Sequence, residues 1–170
     1  IHTPHLEDKY KGTRMIIDML KNDRRVDPKR VLIDHVEEHT VRHALDGGFW
    51  CAMTLYPTTK CTPQRAVDII EMVGTERIMA NSAGDWGKSD PLAVPKTANL
   101  MVESGIPQTV IEDVVYRNAL RAYGQSGQFH EADWLNPPPI DQRTLFEGNS
   151  VLRGGQTPRV EETPDDRVIR

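Results

Sequence analysis

Two residues able to do chemistry together, His35 and Asp85, each stand where an expected strand runs out. They close the runs Val31-Leu-Ile-Asp-His35 and Arg77-Ile-Met-Ala-Asn-Ser-Ala-Gly-Asp85. In a parallel barrel, strands present reactive side chains at their C-terminal ends, so the two would face one pocket. A neutral imidazole and a carboxylate meeting there make two-thirds of a divalent-metal site. His2, several residues ahead of a helix, lies at a third strand end and completes an N,N,O ligand set. Zinc and similar ions accept such a set and keep an open position for water. The ion brings the pKa of that water toward about 7 and makes it a nucleophile. Asp85 can ligate and also shuttle the proton. A plainer reading stands beside this one: His35 only bonds a backbone carbonyl, and Asp85 only caps a loop.

Other polar residues near these strand ends are candidates of lower rank. His5 would reach the pocket as a substrate contact or as support behind a ligand. Glu37, two residues past His35, would order a loop or bind substrate, and Trp86 would contact substrate beside Asp85. Lys9 and Lys60 suit an anionic substrate group, with ordinary surface charge as the alternative. His39 and His43 stand at i, i+4 on one helix face, but Glu37, Glu38, Arg42 and Asp46 around them read as a solvated surface. A His-x-x-x-His pair without a catalytic Glu is a weak metal signal.

The elements that must position these residues alternate. Apolar spacing predicts a helix from Glu7 to about Asp23, with Tyr10, Met15, Ile16, Ile17, Met19 and Leu20 on a broad face. A β-branched strand follows at Val31–Val36, then a short helix at Glu38–Leu45 stopped by Gly47-Gly48. Phe49–Leu55 is nearly all apolar, as a parallel strand buried on both faces would be. Thr62-Pro63 reads as N-cap and first helical residue of a helix to about Val73, ended by Gly74. Glu76–Ser82 is the next strand, and the loop Gly84–Asp90 leads to a helix from Asp90-Pro91 to about Glu103. Pro107–Tyr123 is a further amphipathic helix. Such βα alternation implies parallel strands joined by right-handed crossovers. From Gly124 the pattern fades. Residues 1–127 form one domain, and 128–170 read as an irregular tail, docked in part through residues such as Trp134 and Phe146 and disordered toward its end.

The chain has 170 residues, 38% of them hydrophobic, and a net charge of −4, enough for one domain with a real core. The acidic balance gives no nucleic-acid signal, since phosphate neutralisation needs a basic surface. No apolar run approaches the length of a membrane span. Cys51 and Cys61 lack CxxC spacing and make neither a zinc ribbon nor a disulfide framework, which fits a reducing, cytoplasmic setting. Ile1 opens inside what reads as a strand end, so an upstream portion is expected.

Four runs carry a family resemblance: Ile1-His-Thr-Pro-His5, Val31-Leu-Ile-Asp-His-Val-Glu37, Met53-Thr-Leu-Tyr-Pro57 and Asn81-Ser-Ala-Gly-Asp-Trp-Gly-Lys-Ser-Asp-Pro91. Over about residues 1–127 the chain resembles the TatD-like metal-dependent hydrolases of the amidohydrolase superfamily, with Asp85-Trp86-Gly87 the most specific part. The resemblance implies an α/β fold, the C-terminal half (strands five to eight) of a parallel (β/α)8 TIM-type barrel. It makes His2 and His35 metal ligands from the fifth and sixth strands, and Asp85 the carboxylate of the eighth. The family's first-strand His-x-His pair and fourth-strand bridging residue have no counterpart here. A half-barrel exposes two sheet edges, so an upstream half, on this chain or another, or a homo-oligomer is expected to cover them.

The function these readings favour is a hydrolase in which one or two divalent ions, zinc foremost, activate water against a small-molecule ester, amide or phosphoester. Asp85 would be ligand and general base. The alternative is a non-catalytic assembly or binding subunit that keeps the barrel fold and uses its C-terminal tail to hold a partner.

Overall fold

The computed structural model describes residues 1–4, 8–56, 60–83 and 89–136. The chain divides into two compact units, Ile1–Phe129 and His130–Arg170.

The first unit is mixed α/β and is built on a three-stranded parallel sheet in the order β1-β2-β3. β2 (Trp50–Leu55) is the central strand, and its residues from Cys51 onward are buried. It pairs on one side with β1 (Leu32–Asp34), Leu32 opposite Trp50, and on the other with β3 (Ile78–Ser82), Cys51 opposite Ile78. The apolar run read from Phe49 to Leu55 is therefore the strand covered on both faces. A parallel bridge between His2 and Asp34 lays the first residues along the outer side of β1. There Asp34 N–H donates to Ile1 O at 2.9 Å, and the Thr3 hydroxyl donates to Asp34 O at 2.6 Å. The parallel pairing expected for the three strands is present. Closure into a barrel, and the assignment of these strands as five to eight, is not displayed by the described residues.

Helices α1 (Lys9–Asn22), α2 (Val41–Asp46), α3 (Pro63–Val73) and α4 (Ala93–Glu103) follow the strands in alternation. In α3 the Thr62 hydroxyl accepts Arg65 N–H at 3.3 Å, Pro63 takes the first helical position, and Gly74 ends the helix at φ 78°. That capping pattern was readable in advance. The start of α4 was not: Asp90 accepts Leu92 N–H at 3.0 Å in a local turn, and the helix begins only at Ala93. α2 likewise begins at Val41 rather than Glu38, because Thr40 Oγ1 accepts Glu37 N–H at 3.0 Å and ties residues 37–40 into a turn. The expected long helix at Pro107–Tyr123 is interrupted. α5 (Gln108–Glu112) runs through a π-helical turn, Asp113–Arg117, into α6 (Asn118–Gly124). Just after that turn the buried Asn118 side chain donates to Thr75 O and Ile78 O, both at 2.7 Å, and anchors the entry to β3.

The core gathers Ile17, Ile33, Phe49, Met53, Leu55, Ile69, Ile78, Met101 and Val114, all fully buried. The broad apolar face expected of α1 is split: Ile17 and Leu20 enter the core, while Tyr10, Met15 and Met19 are exposed. Gly12 brings α1 close against the N-terminal segment, since a Cβ there would lie 2.7 Å from Pro4 Cγ. Cys51 and Cys61 are free and buried. Cys61, read as a loop residue, returns beside the end of β2: its N–H donates to Thr54 O at 3.1 Å and its carbonyl accepts Tyr56 N–H at 3.0 Å.

In the second unit α7 (Glu131–Leu135) is closed by a capping box between His130 and Asp133. Trp134 and Leu135 are more than half exposed. Phe146 and the remainder of the expected tail, residues 137–170, lie outside the described residues. Among the described residues no helix is long and apolar enough to cross a membrane.

Candidate metal centre

β1 is a short apolar strand that ends abruptly. His35 has φ 65°, a left-handed conformation that costs a non-glycine residue roughly 1–2 kcal/mol. The strand cannot continue through it, so β1 stops at Asp34 rather than Val36. In an unbroken strand, neighbours point to opposite faces. The left-handed turn breaks that alternation and brings the Asp34 and His35 side chains to the same place.

His2 joins them from the adjoining segment. Its Nδ1 lies 3.2 Å from His35 Nε2 and 2.9 Å from Asp34 Oδ2, and the two imidazole centroids are 5.0 Å apart. The candidate ligand atoms of His2, Asp34 and His35 all fall within 4.8 Å of one another, close enough for one metal ion to touch all three. Two nitrogens bound to one tetrahedral zinc stand about 3.3 Å apart, given metal–nitrogen bonds of about 2.0–2.1 Å. The 3.2 Å separation seen here matches that edge. The donor set of two imidazoles and a carboxylate therefore fits a zinc-like ion.

Asp34 is held from behind. Its Oδ1 accepts from Thr54 Oγ1 at 2.7 Å, from His35 N–H at 2.9 Å and from Asn81 Nδ2 at 3.2 Å. Burial alone would raise the carboxyl pKa. The hydrogen bonds from Thr54 and Asn81, the nearby His35 ring and the His35 backbone N–H outweigh it and keep Asp34 below the usual carboxylate range. Its second oxygen, Oδ2, faces the two imidazoles. The His35 side chain is 8% exposed and that of His2 is 82% exposed, so the cluster opens to solvent on the His2 side.

Beside it lies a second group of charges. Glu37 is buried, with Oε2 paired to Lys9 Nζ and to Arg65 Nη2 at 3.1 Å, while Oε1 has no hydrogen-bond partner among the described residues. Arg65 also grips Glu38 at 2.5 and 2.7 Å and donates to Lys60 O at 2.8 Å. The bond to Arg65 holds the Glu38 carboxyl below its ordinary value. A small cavity between the two groups is lined by His35, Thr54, Glu37, Lys9 and Lys60. The Lys60 ammonium sits 5.5 Å from the centre of the Tyr56 ring.

Of the ligands expected from sequence, His2 and His35 are brought together. Asp85 and Trp86 lie outside the described residues, and so does His5. Asp34 was missed, as were Thr54 and Asn81 behind it. Strand alternation argued against Asp34 facing the same way as His35, and no glycine marked the turn. His39 is exposed in the turn before α2 while His43 lies within it, so the two do not share a helix face as expected; His43 Nε2 lies 3.8 Å from Asp18 Oδ1, and neither residue belongs to the cluster. Lys9, which could have been ordinary surface charge, is engaged with a buried carboxylate.

No family model matches the chain, and no solved structure matches it. Over 125 residues it is 30% identical to an uncharacterised metal-dependent hydrolase of Methanocaldococcus jannaschii, a match covering 72% of this chain and 47% of that protein. The chain thus spans about half the length of the relative it matches.

Proposed function

We propose that the protein is a metal-dependent hydrolase of the TatD-like kind, acting on a small-molecule ester, amide or phosphoester. The observation that carries the reading is the spacing of His2 Nδ1 and His35 Nε2, 3.2 Å apart, beside Asp34 Oδ2, which lies 2.9 Å from His2 Nδ1 and 3.5 Å from His35 Nδ1. The similarity to a metal-dependent hydrolase supports it. A bound divalent ion, zinc by the chemistry of the donor set, would supply Lewis acidity and an activated water.

The chain's own residues divide the remaining work. His35, almost enclosed and hydrogen-bonded to Thr54, is the rigid ligand. His2, largely exposed, is the ligand nearer solvent. Asp34 holds both rings in register through Oδ2 while Thr54 and Asn81 hold Asp34. Asp85 is proposed as a further ligand and as the base that takes a proton during attack. Glu37, Lys9 and Lys60 line the adjoining cavity, where Lys60 would orient an anionic group of the substrate. Trp86 and His5 are proposed as further substrate contacts.

The test is metal content by mass spectrometry on the full-length protein from metal-supplemented medium, with turnover on a panel of generic esters, amides and phosphodiesters. Stoichiometric divalent metal, and turnover lost on chelation, are expected. Protein that holds no divalent metal after such preparation would end the hydrolase reading.

A further inference from the structure

The hydrogen bonds around Asp34 decide which nitrogen of His35 carries its proton. An ionised carboxylate only accepts, so each close polar neighbour of Asp34 Oδ1 gives it a hydrogen. Thr54 Oγ1 lies 2.7 Å from Asp34 Oδ1 and directs its single O–H there. The Thr54 oxygen is then an acceptor toward His35 Nδ1, 2.8 Å away, and Nδ1 must bear a hydrogen. Among the described residues a second oxygen near Nδ1, Asp34 Oδ2 at 3.5 Å, is an acceptor too. In the neutral ring the lone pair is therefore on Nε2, which faces His2 Nδ1 at 3.2 Å.

We infer that Thr54 is a positioning residue for the metal centre, holding His35 in the Nδ1–H tautomer so that Nε2 is presented as a ligand, and thereby raising affinity for a divalent ion. The affinity part rests on the metal-dependent reading above, while the tautomer part does not. Three features make the assignment specific. Thr54 is 3% exposed, so bulk water does not stand in for its hydroxyl. Asn81 Nδ2 and His35 N–H approach the same Asp34 oxygen and hold that carboxylate in place. Thr54 lies on β2, the strand paired to β1, so its hydroxyl is set by the sheet. Support of this kind, a hydrogen bond on the far nitrogen of a ligating histidine, is a general means of orienting metal ligands.

The test uses full-length protein labelled with 15N-histidine. Long-range 1H–15N correlation in the metal-free state, at a pH where the ring is neutral, reads the tautomer, with the His35 signals assigned by their loss in His35→Gln. The wild type is expected to show a protonated Nδ1 and an unprotonated Nε2. Thr54→Val removes the hydroxyl at nearly constant shape, and Thr54→Ser keeps it. In the Val variant a mixture of tautomers is expected, with zinc affinity, measured by competition with a chromophoric chelator, falling about 10–100-fold. The Ser variant is expected to match the wild type in both readouts. A wild-type ring protonated on Nε2 overturns the inference without recourse to any variant. So does a folded Val variant with wild-type zinc affinity, or a folded Ser variant as impaired as Val. Wild-type protein that shows the Nδ1–H tautomer yet takes up no zinc would overturn the metal-centre reading and not the tautomer assignment.

Discussion

Two charge clusters lie next to each other in this fold and are built on opposite plans. Around Asp34 one buried carboxylate meets two imidazoles together with a hydroxyl and an amide. Around Glu37 two carboxylates, Glu37 and Glu38, meet two permanent cations, Lys9 and Arg65. The first cluster brings two ring nitrogens and a carboxylate oxygen together with no lysine or arginine among them, so an added cation would complete it. The second is already balanced, and a cation placed there would have to displace one of its own. A buried carboxylate is thus no sign of a metal site by itself. What differs is whether its partners bring lone pairs or positive charge.

Substitutions can break this contrast. The largest effect expected is from His35→Ala, which should weaken divalent-metal binding by at least about 100-fold, since loss of a ligand exceeds loss of a ligand's support. Glu37→Gln should leave metal stoichiometry unchanged. Calorimetric zinc titration of both variants checks this, and equal losses would erase the distinction between the clusters.

Next is Arg65→Ala, which removes the shared partner of Glu37 and Glu38. Arg65 is 35% exposed, so the cost is expected at about 2 kcal/mol, below the range for a fully buried pair. Urea melts measure it, and metal affinity should be unaffected. A smaller effect sharpens the same point with pH. The folded pKa of Glu38 is lowered, by its bond to Arg65, from an ordinary value of 4.5. The stability this contributes is present above that value and is lost as pH falls through the lower folded one. The stability gap between wild type and Arg65→Ala should therefore narrow as pH drops below 4.5. A gap that widened in acid would contradict the pairing.

The last effect is on thiol reactivity. Burial pushes both the Cys51 and Cys61 thiols up to about 12, so neither should react with a thiol reagent at neutral pH without denaturant. Cys61 lies within the field of Arg65, Glu37 and Glu38. In Arg65→Ala the cation that lowers the Cys61 thiol is gone while the carboxylates that raise it remain, so Cys61 should stay as unreactive as Cys51. Mass-spectrometric mapping of the labelled residue gives the answer.

The parts of the fold that were legible in the sequence are those set by local rules. β2 announced itself through an unbroken apolar run, and α3 through Thr62, Pro63 and Gly74. The pairing of His2 with His35 followed from placing both at strand ends of a parallel sheet. The parts that were not legible depend on a single backbone angle or on a partner distant in sequence. The turn at His35 carries no glycine, so nothing announced that Asp34 would face the same way. Thr54 and Asn81 reach Asp34 only because β1, β2 and β3 lie side by side in one register, which spacing along the chain does not reveal. The π turn before Asn118 answers to two carbonyls more than 35 residues upstream.

Gly12 has a bearing on the candidate metal centre although what it touches is Pro4. Because its missing Cβ lets α1 rest directly on Pro4, the helix acts as a mechanical stop for the segment that carries His2. A methyl group at position 12 would act as a shim, and the give would come from the short N-terminal segment, since α1 is anchored in the core through Ile17 and Leu20. The ligand spacing at the mouth of the site is thus gauged from outside by the thickness of one hydrogen atom on a helix. An alanine at position 12 would change that spacing without touching a single polar group.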